Sequence, residues 1–205
     1  MSVQTSTAET VAIGILRRHG GLLRTSQAIA LGIHPRTWYS LRDSGAVVPV
    51  TRGVYRLADL PPLSAPDLIA VALRAPQAVV CLISALAFHE ITTQIPHEVS
   101  IALPRLVRQP RIQHPPVRVF RYSGACLVEG VETHTIDGVT VRVFNPAKTV
   151  ADCFKFRNKI GLEVALEALR FCLERKGTKP DGVLRYARVC RVEKIMLPYL
   201  EAIWS

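Results

Sequence analysis

The chain lacks any pair of cysteines close enough in sequence to build a metal knuckle or a redox motif. Its five cysteines, Cys81, Cys126, Cys153, Cys172 and Cys190, are scattered, and no two form a CxxC pair. An odd number of isolated thiols, most of them within apolar stretches, argues against a disulfide framework and suits small buried residues in a reducing cytosol. The apolar run Ala78–Ile83, as long as any in the chain, is far too short to span a bilayer. No basic segment followed by an apolar core opens the chain, so a signal peptide is not expected. A cytoplasmic protein with no membrane partner is the reading.

Catalytic patterns are missing as well. There is no GxxxxGK(S/T) phosphate loop, no HExxH zinc helix and no GxGxxG turn. The Gly-Ser and paired carboxylates of a nucleotidyltransferase are absent. Glu129, Glu132 and Asp137 are close in sequence, but without the setting that lets a nuclease hold divalent metal. None of the six histidines sits at i, i+4 from another. Ser84 and His89 are five apart in a helical stretch and point to different sides, so His89 reads as a satisfied core or boundary histidine. Asp152 and Lys155, one helical turn apart, read as a surface or intradomain ion pair. The expectation is a protein that is not an enzyme and has no cofactor, no metal and no catalytic residue.

What the chain does have is apolar content and positive charge. Of 205 residues, 49% are hydrophobic, enough for a sizeable core, and the net charge of +10 points to a polyanion or an acidic partner. Both parts are basic, with seven Lys/Arg against three Asp/Glu in residues 1–62 and nineteen against thirteen in 63–205.

The most informative stretch is Thr25–Leu57. Met1–Thr7 is expected to be a frayed tail, followed by a helix to about His19 with Val11, Ala12, Ile15 and Leu16 as its apolar stripe. A second helix starts at Thr25 or Ser26, with Ala28, Ile29 and Leu31 inward, and Gly32 supplies a left-handed turn. Pro35 opens a third helix, because a first-turn proline wastes no N–H bond. Trp38 and Leu41 share one face of it; Arg36, Tyr39, Ser40 and Asp43 lie opposite, with Thr37 at the edge. Val47–Val50 and Val54–Leu57 flank Thr51-Arg52-Gly53 and predict a β-hairpin. Helix, glycine turn, helix and hairpin in this order predict a winged helix-turn-helix. Arg36 would read a base edge, while Arg52 and Arg56 would position the domain on phosphates.

Leu60-Pro61-Pro62-Leu63 marks a boundary, since two prolines neither continue a strand nor enter a helix interior. The expected division is a DNA-binding domain over 1–60 and a larger α+β domain over 63–205. In the latter, His97–Leu103, Val117–Tyr122, Val131–Ile136 and Val139–Phe144 alternate with period two. The last pair flanks Asp137-Gly138, a hairpin signal, so a small antiparallel sheet is predicted. Helices follow from Asn145-Pro146 onward, the next over Leu162–Glu174 and two more over Asp181–Cys190 and Val192–Trp204. The fold class is α+β. No acidic residue occurs between Glu98 and Glu129, yet Arg105, Arg108, Arg111, Arg118 and Arg121 all do. These five are a candidate second basic surface, for DNA or for an acidic partner, against the plainer reading of a solubilising loop.

Four pieces, in order over most of the chain, resemble the AbiEi-type antitoxins of type IV toxin–antitoxin, or abortive phage infection, systems. They are GGLLRTSQA (Gly20–Ala28), SLRDSGAVVPVTRGVYR (Ser40–Arg56), SALAFH (Ser84–His89) with Ile95-Pro96, and NPAKTVADC (Asn145–Cys153). The resemblance implies an N-terminal winged helix that binds double-stranded operator repeats and represses its own operon. It also implies a C-terminal domain that neutralises a separate nucleotidyltransferase-like toxin. Carried over by position, the DNA-reading residues are Thr25, Ser26, Arg36, Thr37, Ser40 and Arg52; Arg24, Tyr39 and Arg56 join them from the residue pattern. Because one winged helix gains specificity by pairing on half-sites, dimerisation on DNA is expected. Two alternatives stay open: an orphan winged-helix transcription factor with no toxin, and a DNA-targeted nuclease.

Overall fold

A computed structural model describes residues 6–204. The chain divides into two compact units, one ending at Pro66 and the other beginning at Asp67.

The first unit runs α1 (Thr7–Arg18), β1 (Leu22–Arg24), α2 (Thr25–Ala30), α3 (Pro35–Asp43), β2 (Val47–Thr51) and β3 (Val54–Leu57). Of the expected frayed tail, residues 1–5 lie outside the described residues, but Ser6 and Thr7 are ordered by a capping box. The Ser6 hydroxyl accepts the Glu9 N–H, and the Glu9 carboxylate accepts the Ser6 N–H. Ala12 and Leu16 point into a core shared with Leu23, Ala28, Ile33, Trp38, Leu41, Val47 and Leu57. The expected stripe was drawn too wide, since Val11 is 57% exposed. Ile29 and Leu31 are likewise exposed; in a six-residue helix only Ala28 faces the core. Gly32 turns the chain at φ +89°, a value that strains any residue with a Cβ.

The strands form an antiparallel sheet in the order β1-β3-β2. Strand β1 was not anticipated: three residues after the Gly20-Gly21 stop pair with β3, Leu22 opposite Arg56 and Arg24 opposite Val54. Pro49 sits on the edge strand β2, beside a shift in register between Pro49 and Thr51.

The second unit carries α4 (Pro66–Arg74), β4 (Val79–Val80), α5 (Leu82–Phe88), β5 (Val99–Pro104), β6 (Val117–Tyr122), α6 (Ala125–Val128), β7 (Val131–Ile136) and β8 (Val139–Phe144). Five helices follow: α7 (Pro146–Lys155), α8 (Arg157–Ile160), α9 (Leu162–Lys176), α10 (Pro180–Cys190) and α11 (Glu193–Trp204). The architecture is α+β. Its five-stranded sheet has the order β6-β5-β4-β8-β7. Antiparallel pairing holds for β7–β8, turned at Asp137-Gly138, and for β4–β5; β5–β6 and β4–β8 run parallel. The β5-to-β6 connection is a long irregular segment rich in proline, long enough to return the chain to the same end of the sheet.

Helix α7 is the axis of this unit. Asn145 caps it by accepting the Lys148 N–H, Pro146 opens it, and every residue from Ala147 to Phe154 is buried. Lys148 and Asp152, at i and i+4, meet inside the protein with Nζ 2.6 Å from Oδ2 and neither side chain exposed. The expected Asp152–Lys155 pair does not form: Lys155 is exposed and its Nζ lies 3.3 Å from Cys126 Sγ. Lys148 Nζ also stands 4.0 Å from the Phe144 ring centroid, and Cys190 Sγ donates to Asp152 Oδ1 at 3.2 Å. Gly130 is what lets a backbone pass this lysine, because a Cβ there would come within 2.7 Å of Lys148 Cβ. His89 Nε2 is 2.8 Å from the Phe144 carbonyl oxygen. The buried Ser84 hydroxyl donates to the Glu98 carbonyl and accepts the Ser100 N–H. Both side chains are absorbed in holding α5 to the sheet.

Candidate nucleic-acid interface

The winged-helix surface follows from how α3 is anchored. His34 precedes it in extended conformation, its imidazole accepting the Arg36 N–H, and Pro35 takes the first helical position. Trp38 and Leu41 are almost wholly buried, with the Trp38 ring edge-on to Tyr55 of β3 at 5.8 Å between centroids. With that stripe fixed inward, a period of 3.6 residues places Arg36, Tyr39, Ser40 and Asp43 outward. All four are exposed, and Thr37 is half-buried at the edge.

Not every exposed group on this face is equally available. The Trp38 Nε1–H donates to the Thr25 hydroxyl at 3.2 Å, so Thr25 ties α2 to α3. Ser40 Oγ donates to Glu9 Oε1 at 2.6 Å, and this bond, then that from the Ser6 backbone, holds the Glu9 carboxyl below its ordinary value. A carboxylate therefore sits beside Ser40. Arg36 has no ion pair among the described residues and projects from the first turn of α3, the part of a recognition helix that reaches base edges. Tyr39 carries the Arg42 guanidinium over its ring at 4.9 Å, while Arg42 pairs with Asp43 at 2.8 Å. Arg42 was missed in the sequence; its spacing of three from Tyr39 was the available signal.

The wing is fastened to α2 through its turn, the Thr25 N–H donating to the Gly53 carbonyl at 3.0 Å. Ser26, next to it, is exposed at the start of α2, and Arg24 is the N-cap residue, its N–H held by the Gln27 side chain. Arg52 stands exposed at the hairpin tip with no ion pair among the described residues. Arg56 is different: it is half-buried and its guanidinium donates to the Pro61 carbonyl, which closes the hairpin's exit instead of facing outward.

In the second unit the five arginines split. Arg121 donates to the carbonyls of Pro104 and Val107 at 2.9 and 2.5 Å and pins the loop that leaves β5. Arg118 pairs with Glu98 at 3.6 Å and lies over Phe120. The Arg111 carbonyl accepts from Arg74. Arg105, Arg108 and Arg111 have exposed side chains without a carboxylate partner among the described residues. Among the described residues, no group of three His, Cys, Asp or Glu is placed to hold a metal ion, and no helix is long and apolar enough to cross a membrane.

A buried three-helix core, an outward polar α3 and an arginine-tipped hairpin define a winged helix-turn-helix, here followed by an α+β unit. Residues 15–58 match the family described as transcriptional regulator, AbiEi antitoxin. The N-terminal region is thus similar to that family over residues 15–58, and the match supports a DNA-binding regulator of the antitoxin class. No curated protein matches the chain. Among solved structures, the crystal structure of the RV2827C protein from Mycobacterium tuberculosis is similar, with a TM-score of 0.61 and 15% identity over 90% of this chain and 72% of that one. At that identity the likeness is one of fold.

Proposed function

We propose that this protein is a sequence-specific repressor of its own operon and the antitoxin partner of a nucleotidyltransferase-like toxin. The observation that carries the DNA half is α3: its apolar stripe is locked inward by Trp38 and Leu41, leaving Arg36 and Tyr39 outward beside a wing tipped by Arg52. Within the proposed interface, Arg36 reads a base edge, since a guanidinium bonds guanine O6 and N7 bidentately, and Thr37 and Tyr39 supply hydroxyls. Arg52, Ser26 and Arg24 contact phosphate. Thr25 and Ser40 serve mainly by positioning, because their hydroxyls are already engaged. Residues 1–60 carry this role, two copies occupy operator repeats, and residues 63–205 carry neutralisation.

The antitoxin half rests on the family match and not on a geometric site. Binding of the purified chain to the DNA upstream of its gene, compared with random duplex, tests the first half; equal affinity for both removes specific repression. Co-expression with the product of a neighbouring toxin gene tests the second. Growth that is not rescued leaves an orphan regulator.

A further inference from the structure

A cavity of about 360 Å³ opens in the second unit between the turn after β5, the β6–α6 loop, the end of α7 and the end of α10. Arg105, Lys155 and Arg191 reach it from three separate elements, together with Ser123, Gly124, Ala125 and Cys126. No acidic residue lines it. None of the three cations has an ion-pair partner among the described residues, although the exposed Arg185 and Arg188 and the half-buried Arg118 of this unit do. Three like charges around one concavity repel one another, and an anion entering between them relieves that repulsion. Arg191 is held at φ +60°, a left-handed conformation uncommon for arginine, at the C-cap of α10.

We propose that this cavity binds a small phosphate-bearing ligand, an assignment that stands apart from the DNA-binding reading. Guanidinium and ammonium groups with a serine hydroxyl beside them are a donor set for phosphoryl oxygens. The volume falls in the range of small-ligand sites, roughly 300–1,000 Å³, so the phosphoryl group brings an organic body with it. Cys126 is a built-in reporter: it is the only cysteine of the five that is not buried, and its Sγ lies 3.3 Å from Lys155 Nζ.

Titration of the full chain with pyrophosphate, followed by calorimetry and by the rate of Cys126 alkylation, tests the assignment. One saturable site per chain is expected, with alkylation slowed as it fills. Lys155→Gln and Arg191→Asn should each weaken binding about tenfold, the loss of one charge-assisted hydrogen bond. Both positions are exposed, and asparagine tolerates the left-handed φ at 191, so the variants should unfold at the parent's temperature; Arg105→Gln is an independent third. Binding that does not saturate, or that survives all three substitutions, overturns the proposal. So does equal weakening by Arg52→Ala, which would put the anion on the wing. Protection of Cys126 by short duplex DNA but not by pyrophosphate overturns it too, assigning the cavity to nucleic acid.

Discussion

Removing the lysine of the buried pair on α7 should be among the most damaging single substitutions in this protein, and its cost should depend on pH in a calculable way. Lys148→Met keeps the length of the side chain and its contacts with Phe144 and Tyr122, but leaves Asp152 without its cation. Burial already pushes the Asp152 carboxyl above its ordinary value, with Lys148 opposing the shift. Without Lys148, the carboxyl folds only in its protonated form. Protonating a carboxyl with an unfolded pKa of about 3.9 costs close to 1.4 kcal/mol per pH unit, so roughly 4 kcal/mol at pH 7 and 1.5 at pH 5. The figure at pH 7 lies inside the ~3–5 kcal/mol seen when one partner of a buried pair is removed. The sign follows from proton counting: in the variant the folded state holds one more proton than the unfolded state, so stability falls as pH rises from 5 to 7. Replacing both charges, Lys148→Met with Asp152→Leu, leaves no charge in the core and should recover most of the loss and remove the pH slope. Urea unfolding followed by circular dichroism at pH 5, 6 and 7 measures all three proteins. A single-variant loss that is the same at pH 5 and 7, or a double variant no more stable than the single, would refute the reasoning.

On the DNA face, Arg36→Ala should cost about 1–3 kcal/mol on the specific site and relax sequence preference, read by gel shift against operator variants. Arg52→Ala should weaken binding to all duplexes alike and lower the slope of log affinity against log salt by about one. Gly32→Ala should destabilise the first unit by about 1–2 kcal/mol, all of it backbone strain, because a Cβ there meets nothing within 4 Å. Burial, partly offset by the Phe144 carbonyl, lowers the His89 pKa from its ordinary value. The unfolded state therefore takes up a proton that the folded state refuses, and stability should drop as pH falls below about 6.5. In His89→Gln that drop should flatten; an unchanged slope would assign it to other groups.

Which features could be read from the sequence depends on how far apart in the chain their causes lie. The winged helix was legible because Gly32, Pro35, Gly53 and the Trp38–Leu41 spacing each set conformation within a few residues. The Asp137-Gly138 hairpin was legible for the same reason. Strand β1 was not: three residues have no periodicity to detect, and their partners lie 30 or more residues onward in β3. The parallel β5–β6 pairing was hidden too, since alternation marks a strand but not its direction.

The candidate site shows the same division. That Arg36 and Tyr39 face outward follows from helical period alone. That the Thr25 hydroxyl is taken by Trp38, the Ser40 hydroxyl by Glu9 and the Arg56 guanidinium by Pro61 follows only from packing. Lys148 is the sharpest case. An i, i+4 lysine–aspartate pair normally marks a solvated helix face, and nothing local distinguishes this one. It is buried because the five-stranded sheet, α5, α9 and α10 surround α7, and because Gly130 has no side chain to keep the backbone away from it. Substituting Gly130 should therefore mimic the loss of Lys148, although the two are far apart in sequence: a Cβ at 130 displaces the lysine, and a displaced lysine no longer neutralises Asp152. Gly130→Ala should accordingly destabilise more at pH 7 than at pH 5, and a pH-independent loss would show that the glycine acts through backbone strain alone.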